Sequence, residues 1–321
     1  LNDIVNHIQK EYKEARLPKK DGTYRSLCVP SIRLRFCQDP IKGKILPQLP
    51  VSKFATAYQK GSTTRGNAEP HIGKKFLLKL DITDFFGSIT FEQVQRTAFN
   101  TRYVSRQVGY LLTSLCCKDD SLPQGAATSP ALSNIVMYRF DDYIGRWCSQ
   151  RQIAYTRYCD DMTFSANRPL YGVYQKVKTM LCEMGFELNE SKTHFIGNDN
   201  RQSVTGLVVN EKLSIPSGYK RDLRQEVYYA LKFGVEDSVL HGHRSDFIED
   251  GKPICCPTYM LHLMGKVQYV LQIEPENLWF KDAQKKLLAY IYEHYSESLS
   301  YYLHFNKNGK GKGMYEQSNP V

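Results

Sequence analysis

The sequence predicts an α+β protein, with a mixed body of helices and strands to about residue 214 and a helical region after it. Two observations support this prediction. A short apolar run at 76–82 (FLLKLDI) has the length of a buried strand, and residues 155–165 (YTRYCDDMTFS) are predicted as two short strands that meet at Cys159-Asp160-Asp161. Beyond Pro216, by contrast, apolar residues recur at helical spacing as far as residue 304. The length of 321 residues exceeds one typical domain, so we expect roughly two or three packed subdomains.

The first elements are predicted from spacing, turn and capping signals. Residues 1–14 carry apolar side chains at helical spacing, which predicts an amphipathic helix. The pair Asp21-Gly22 separates two strand-like runs and predicts a hairpin. A further helix is expected from Thr90, because Gln93 follows three residues later as in a capping box.

The remaining elements follow in the same way. Residues 122–148 are a loop that runs into a long helix, and residues 170–184 are a helix that Gly185 ends. Residues 204–210 (VTGLVVN) resemble a strand. In the C-terminal region one apolar stripe is formed by Leu287, Leu288, Ile291, Tyr295, Leu299 and Leu303.

The composition favours a polyanionic partner. The chain has 43 Lys and Arg against 33 Asp and Glu, a net charge of +10. Such an excess attracts polyanions, of which nucleic acid is the commonest. The 22 Tyr residues add aromatic rings suited to stacking on bases.

Cysteines and apolar runs indicate the compartment. The nine cysteines include no C-x-x-C pair, which argues against a structural zinc site, and we expect reduced, mostly buried thiols. No apolar run approaches the ~20 residues of a membrane span. We therefore expect a cytoplasmic protein without a membrane partner.

Three carboxylates are the candidate catalytic residues. Asp81 ends one predicted strand, and Asp160 and Asp161 lie between two others. Turns favour Asp, so such a pair is most often only solvated. Here the flanks are apolar, where concentrated negative charge is costly unless a cation neutralises it. Mg²⁺ prefers oxygen ligands, and two such ions can activate a 3′-hydroxyl and stabilise a leaving pyrophosphate. We expect the three Asp to hold two Mg²⁺ ions, with Mn²⁺ as a substitute.

Five segments then occur in a specific order. They are LDITDFF (80–86), LPQGAATSP (122–130), YCDD (158–161), a segment from Gly185 to Lys192, and VTGL (204–207). This order resembles motifs A to E of reverse transcriptases. The segments NAEPH (67–71), VTG and LMGKVQYVL (263–271) are similar to bacterial retron reverse transcriptases, and the likeness covers essentially the whole chain.

The resemblance implies a right-hand polymerase fold of fingers, antiparallel-sheet palm and helical thumb. The fingers would comprise residues 1–75 with part of 87–121. The palm would comprise residues 76–215 and carry the catalytic motifs, and the thumb with its basic tail would comprise residues 216–321.

The resemblance also implies roles around the incoming nucleotide. Phe86 falls where the family has a bulky gate against the ribose 2′-hydroxyl, with an ordinary core Phe as the alternative. Lys192 is the candidate for protonating pyrophosphate, although a surface Lys at a helix end has the same appearance. The other expected nucleotide contacts are Lys20, Arg25, Gln124 and Gly125.

Further positions are expected to contact nucleic acid. Asn67 and His71 act on RNA or position the fingers, with a His satisfied inside the fold as the alternative. The primer grip and the basic thumb residues expected to contact RNA are Thr205, Gly206, Leu207, Lys220, Arg221 and Arg224.

The chain departs from the family at Cys159, where retron enzymes commonly have Ala. Because the residue is small, we expect activity to survive. Mg²⁺ prefers oxygen, which argues against a thiolate ligand there.

The resemblance implies a noncoding RNA that is both template and primer, a DNA product that stays bound to it as in msDNA, dNTP substrates, and an effector protein in anti-phage defence. An RNA-dependent RNA polymerase is disfavoured, since those enzymes usually carry an acidic residue at the position of Phe86. Other bacterial defence or intron-type reverse transcriptases remain alternatives. An inactive RNA-binding relative is disfavoured by the three intact carboxylates.

Overall fold

The computed structural model describes residues 1–18, 22–100, 104–242, 245–249, 252–253 and 256–307, with backbone only for 241, 245 and 296–307. The chain divides into two compact units, Leu1–Val204 and Thr205–Val321. Helices and antiparallel sheets occur together, so the predicted α+β class is confirmed.

The first unit contains eight helices and seven strands among its described residues. The helices are α1 Asn2–Asn6, α2 Ile32–Pro40, α3 Thr64–Ala68, α4 Phe91–Val94, α5 Arg106–Cys116, α6 Ser129–Val136, α7 Tyr138–Ser149 and α8 Tyr171–Glu183. The strands are β1 Tyr12–Pro18, β2 Tyr24–Pro30, β3 Phe76–Asp81, β4 Ala154–Tyr158, β5 Asp161–Ala166, β6 His194–Gly197 and β7 Ser203–Val204. Short 3₁₀ or π turns occur at Ile8–Glu11, Ile41–Ile45, Leu46–Gln48, Glu69–His71, Gln95–Phe99 and Glu190–Lys192.

The N-terminal helix is shorter than predicted. Helix α1 ends at Asn6, and Tyr12, which the spacing placed in the helix, begins β1. Strand β1 pairs with β2 from Tyr12 opposite Pro30 to Pro18 opposite Tyr24. This pairing satisfies the backbone groups of the segment, which outweighs its local helical spacing. The predicted hairpin is thus confirmed; Lys20, in its connection, lies outside the described residues.

A four-stranded antiparallel sheet in the order β4-β5-β3-β6 forms the centre of the first unit. Leu77, Leu78 and Leu80 of β3 are each at most 1% exposed. Consecutive residues of a strand point to opposite faces, so both faces of β3 are covered. This explains why β3 is apolar throughout rather than alternating.

The helix signals are largely confirmed. Thr90 and Gln93 form the predicted capping box at α4. Gly185 has a φ of +84° beyond the end of α8, a conformation that glycine adopts without strain. The long helix predicted within 122–148 begins only at Ser129, and α6 and α7 divide at Met137.

The second unit is mainly helical. Its described elements are β8 Leu207–Val208, α9 Ser217–Phe233, α10 Val235–His241, β9 Ile248–Glu249, β10 Lys252–Pro253, α11 Cys256–Ile273 and α12 Leu278–Lys307, with a 3₁₀ turn at Ser245–Phe247. The small β9–β10 hairpin was not predicted. In α12 the backbone leaves helical geometry at Tyr295.

Two predictions for this region are wrong in detail. Residues 204–210 are not one strand, because Thr205 and Gly206 have φ of 44° and 80° and form a turn between β7 and β8. In the predicted apolar stripe, Leu287 and Ile291 are buried, but Leu288 is 42% exposed. The side chains of Leu299 and Leu303 lie outside the described residues.

Burial of the cysteines varies along the chain. Cys116, Cys117 and Cys148 are buried, whereas Cys182 is exposed. Of the helices in the described ranges, none is both long and apolar enough to cross a membrane.

Candidate catalytic site

The register of the central sheet brings the three candidate carboxylates to one end. Asp81 is the last residue of β3 and lies directly opposite Asp161, the first residue of β5. Asp160 precedes it in the turn, and its carbonyl accepts a hydrogen bond from the Ile82 amide at 3.3 Å. The strand ends therefore place together residues that are far apart in sequence.

The surroundings of these carboxylates disfavour negative charge. Burial raises the pKa of Asp161 to about 6, and the neighbouring charge of Asp160 adds to the effect. Burial also raises the pKa of Asp81, although hydrogen bonds from Lys192 act in the opposite direction. A bound cation would stabilise the charged form of these carboxylates against both burial and their mutual repulsion. Their all-oxygen donor set suits a hard divalent ion.

Lys192 supplies a positive charge next to Asp81. Its ammonium donates to both carboxylate oxygens of Asp81 at 3.0 Å. The Asn189 amide donates to the Asp81 carbonyl at 2.9 Å, which fixes the turn that carries Lys192. Burial acts to lower the pKa of Lys192, but the contact with Asp81 outweighs it and the pKa is raised.

The metal assignment stays a prediction. Within the described part of the chain, no three or more His, Cys, Asp or Glu side chains are arranged to hold a metal ion. Both oxygens of Asp81 already accept hydrogen bonds from the Lys192 ammonium. The carboxylate oxygens of the three Asp fit Mg²⁺ in their chemistry, and Lys192 is the cation that now occupies Asp81.

A cavity of about 540 Å³ opens beside the carboxylates. Its volume lies in the range of small-molecule sites, about 300–1,000 Å³. The expected site residues that line it are Arg25, Asp81, Phe86, Gln124, Asp160 and Lys192. The fold thus collects, around one cavity, most of the residues that the sequence assigned to nucleotide and metal binding.

Phe86 lies between the core and the cavity. Its ring is partly buried, with its centroid 5.5 Å from that of Phe85. Phe85 is 4% exposed and continues the contact to Phe186 at 6.2 Å. Phe86 is therefore supported from behind while it lines the cavity, as a steric gate requires.

The loop with Gln124 is tied to the β1–β2 hairpin. The Cys28 amide donates to the Gln124 carbonyl at 2.7 Å. Gly125 has a φ of +113°, and a Cβ there would lie 3.0 Å from the Cys28 carbonyl oxygen. A residue without a side chain is needed at this approach. The contact explains why Arg25 and Gln124 line the same cavity.

Lys118 and Tyr58 are among the cavity residues that were not found from the sequence. Lys118 has a side chain only 13% exposed, and its ammonium lies 3.6 Å from Asp119 and 3.9 Å from Glu14. Its position just before the LPQG segment could have indicated that it lies near the nucleotide cavity. Tyr58 also lines the cavity, but its partner is 101 residues away and left no local signal.

Asn67 and His71 lie inside the fold. His71 is fully buried, and its ring nitrogens pair with Ser165 Oγ at 2.7 Å and Thr156 Oγ1 at 2.9 Å. Burial lowers the pKa of His71 to about 3. Asn67 is 1% exposed and accepts a hydrogen bond from Thr56 at 2.6 Å. These contacts favour the alternative of a His satisfied within the fold, and a direct contact of either side chain with RNA is contradicted by its burial.

The expected primer-grip residues occupy the start of the second unit. Thr205 and Gly206 form the left-handed turn, and Leu207 is fully buried. At this position a nucleic acid could therefore contact Thr205, Gly206 or the backbone, but not the buried side chain of Leu207.

The basic residues of α9 differ in their surroundings. Lys220 donates to Glu274 at 2.7 Å, and the two side chains are 19% and 16% exposed. Glu274 also accepts from the Ile215 amide at 2.9 Å. Lys220 is therefore part of the internal structure of this unit rather than an outward cation.

Arg221 and Arg224, by contrast, face outward. The side chain of Arg221 is 80% exposed, with Asp222 at 3.3 Å. The guanidinium of Arg224 lies over the rings of Trp279 at 5.6 Å and Phe280 at 5.4 Å. These two residues retain the properties of candidate phosphate contacts.

Comparison with known families gives a match over residues 17–210 to the family described as "Reverse transcriptase (RNA-dependent DNA polymerase)". The retron Ec86 reverse transcriptase of Escherichia coli is 32% identical over 225 residues, which cover 69% of this chain and 68% of that one. The retron Mx65 reverse transcriptase of Myxococcus xanthus is 30% identical over 287 residues, covering 83% and 62%. The retron Ec83 reverse transcriptase of Escherichia coli is 33% identical over 233 residues, covering 68% and 75%.

Among solved structures, the chain is similar to telomerase from Candida albicans in complex with a TWJ fragment of telomeric RNA. The TM-score is 0.50 at 12% identity, over 90% of this chain and 65% of that one. Such a likeness concerns the fold alone, and it agrees with a right-hand architecture of helices and antiparallel sheet.

Proposed function

The chain belongs to the reverse transcriptase family, together with the bacterial retron enzymes, and we propose that it copies a structured noncoding RNA into single-stranded DNA by two-metal nucleotidyl transfer. RNA-directed DNA polymerase activity is the property of the family. The observation that supports the two-metal mechanism is the register that sets Asp81 opposite Asp161, with Asp160 at the cavity.

In this proposal Asp81, Asp160 and Asp161 hold the divalent ions. Ions held there would lower the pKa of the attacking hydroxyl and stabilise the charge on the leaving pyrophosphate. The protein's own task is to hold the three carboxylates close together in a partly buried place, where a bound cation would favour their ionised form. Lys192 pairs with Asp81, and its proton would be available to the leaving pyrophosphate.

The other cavity residues select and orient the nucleotide. Arg25, on β2, pairs with the triphosphate, since its planar guanidinium binds phosphate in a bidentate way. Gln124 and Gly125 lie against the incoming nucleotide and the template base. Phe86 fills the space that a ribose 2′-hydroxyl would need, so deoxyribonucleotides are accepted.

The domain boundaries remain part of the proposal. We propose fingers at 1–75 with part of 87–121, palm at 76–215 and thumb at 216–321; the two compact units divide after Val204, within the proposed palm. The thumb contacts RNA through Arg221 and Arg224, with Thr205 and Gly206 at the primer. Lys20 completes the triphosphate contacts of the fingers.

The biological setting follows from the retron relatives. The RNA serves as template and supplies the primer as a 2′-hydroxyl, and the RNA and its DNA stay bound to the protein, as in msDNA. An effector protein of the same system acts with them in anti-phage defence in the cytoplasm. The net charge of +10 supports a lasting association with nucleic acid.

Sequencing the nucleic acid that copurifies with the wild-type protein tests this setting. The expected result is one RNA species joined to DNA complementary to part of it. A DNase-sensitive strand should be absent from the same preparation of Asp160→Asn. Random cellular RNA without attached DNA would contradict the retron assignment.

A further inference from the structure

The turn between β4 and β5 is held at its first residue by the side chains of Tyr58 and Arg157. Cys159 lies in this turn, directly before Asp160. The hydroxyl of Tyr58 lies 2.9 Å from its Sγ, within hydrogen-bonding distance. Nη1 of Arg157 donates to its carbonyl oxygen at 2.8 Å. Both the side chain and the backbone of Cys159 are therefore fixed.

Arg157 cannot turn away from this contact. Its guanidinium is fully buried, with Nε at 2.9 Å and Nη2 at 2.5 Å from the carboxylate of Asp141. Nη2 also reaches Asn134 Oδ1 at 3.2 Å. A guanidinium has a rigid planar fork, so the direction of Nη1 is set by the other contacts.

Tyr58 is brought to the turn by a segment that runs along β4. The Arg157 amide donates to the Phe54 carbonyl, and the Thr56 amide donates to the Arg157 carbonyl, each at 2.8 Å. Asn134 donates to the Ala57 carbonyl at 2.8 Å. The backbone just before Tyr58 is thus anchored to the strand that leads into the catalytic turn.

The backbone at both ends of this contact is unusual. Tyr58 has a φ of +60° and Cys159 a φ of +63°, in the left-handed region that side-chain-bearing residues adopt only at a cost. Such conformations persist where surrounding contacts hold them. Here two of them meet through their side chains at a cavity wall that both residues line.

We propose that Tyr58 is a positioning residue for catalysis: its contact with Cys159, together with Arg157, fixes the turn and so the direction of the Asp160 carboxylate. This inference rests on the proposed function, in which Asp160 is a catalytic carboxylate. It also gives Cys159 a role, since Ala at that position has no atom for Tyr58 to bind.

The test is a double-mutant cycle of Tyr58→Phe and Cys159→Ala in DNA synthesis on a defined RNA template. One hydrogen bond corresponds to about a three- to tenfold fall in kcat for each single variant, with the dNTP KM within about twofold. The double variant should equal either single one, and Cys159→Ser, which can still bond to Tyr58, should stay near wild type.

Hydrogen–deuterium exchange without metal or substrate gives a second readout. In Tyr58→Phe and in Cys159→Ala, residues 155–163 should exchange faster, whereas α8 should exchange as in wild type. The control is Tyr143→Phe, because Tyr143 and Tyr58 are both 47% exposed and Tyr143 does not line the cavity.

Three results would overturn the inference. They are equal losses from Tyr58→Phe in the wild-type and Cys159→Ala backgrounds, a rise in KM with kcat preserved, or unchanged exchange in the turn. A wild-type protein that makes no DNA would instead contradict the proposed function, and the exchange experiment would still decide whether Tyr58 holds the turn.

Discussion

Phe86 has the core on one side and the cavity on the other. Its ring contacts that of Phe85, and Phe86 lines the cavity together with Asp81. A steric gate must be rigid to exclude the ribose 2′-hydroxyl, because a mobile ring would move aside for it. Phe86 has this support, which distinguishes it from an exposed aromatic residue.

Phe86→Ala should therefore admit ribonucleotides. The ratio of rNTP to dNTP incorporation efficiency on one template should rise by about tenfold or more. A binding pocket typically discriminates by at least this factor between substrates that differ by one group. Phe91→Ala is the matched control, because Phe91 is also partly buried but does not line the cavity. An unchanged ratio in Phe86→Ala would rule out the gate.

The burial of His71 leads to a prediction about stability rather than activity. Its pKa is lowered by burial to about 3 in the folded protein, against an ordinary value of about 6.5. Between these values the unfolded chain binds the proton more readily, so the contribution of His71 is present above pH 6.5 and is lost as the pH falls.

His71→Gln keeps a polar side chain but does not titrate. The difference in unfolding free energy between wild type and this variant should therefore shrink by about 2 kcal/mol from pH 6.5 to pH 5. Urea unfolding at the two pH values measures it. A difference that stays constant would contradict a buried neutral His71.

At the scale of elements, the β1–β2 hairpin and the loop before α6 are directly connected. The Cys28–Gln124 hydrogen bond and the close approach at Gly125 connect them. Arg25 and Gln124 line the same cavity, and this connection links the two elements that carry them.

Gly125→Ala should separate the two elements. Its Cβ would lie 3.0 Å from the Cys28 carbonyl in a backbone region that side chains rarely adopt. We expect the dNTP KM to rise by about tenfold, from a cost of roughly 1–3 kcal/mol, with a smaller change in kcat. Gly172→Ala, where the added atom meets open space, is the control. Similar KM values in both variants would contradict the connection.

Helix α9 carries the prediction for RNA binding. Replacing Arg221 and Arg224 with Ala should weaken binding to the copurifying RNA and reduce the salt slope by up to about one unit per lost phosphate contact. Lys220 is excluded because its contact with Glu274 supports the unit itself. The control replaces Lys281 and Lys286, exposed cations of α12. Equal losses in both pairs would indicate a general charge effect.

At the scale of the molecule, the parts predicted correctly are those with local signals. The strand at 76–81, the hairpin around Asp21-Gly22 and the capping box at Thr90 each follow from a few adjacent residues. The grouping of Asp81 with Asp160 and Asp161 was expected, but the register that sets Asp81 opposite Asp161 was not, because sequence spacing alone does not give the register between distant strands.

The errors arise where distant contacts decide. Tyr12 has helical spacing, yet its pairing with Pro30 makes it a strand residue. Gly206 inside an apolar run was a signal for a break and was overlooked. The contact of Tyr58 with Cys159 joins segments 101 residues apart, so no local pattern reveals it.

The central claim is that Asp160 and Asp161 are catalytic carboxylates of an RNA-directed DNA polymerase. It is tested most directly by primer extension with dNTPs and Mg²⁺ on a defined RNA template. The comparison is between wild type, Asp160→Asn, Asp161→Asn and the control Asp142→Asn, whose carboxylate pairs with Arg146 in α7. Wild type and Asp142→Asn should extend the primer. The other two should fall below about 1% of wild type while still binding RNA, since a lost metal ligand costs several kcal/mol of barrier. Extension by Asp160→Asn or Asp161→Asn at rates near wild type would contradict the account.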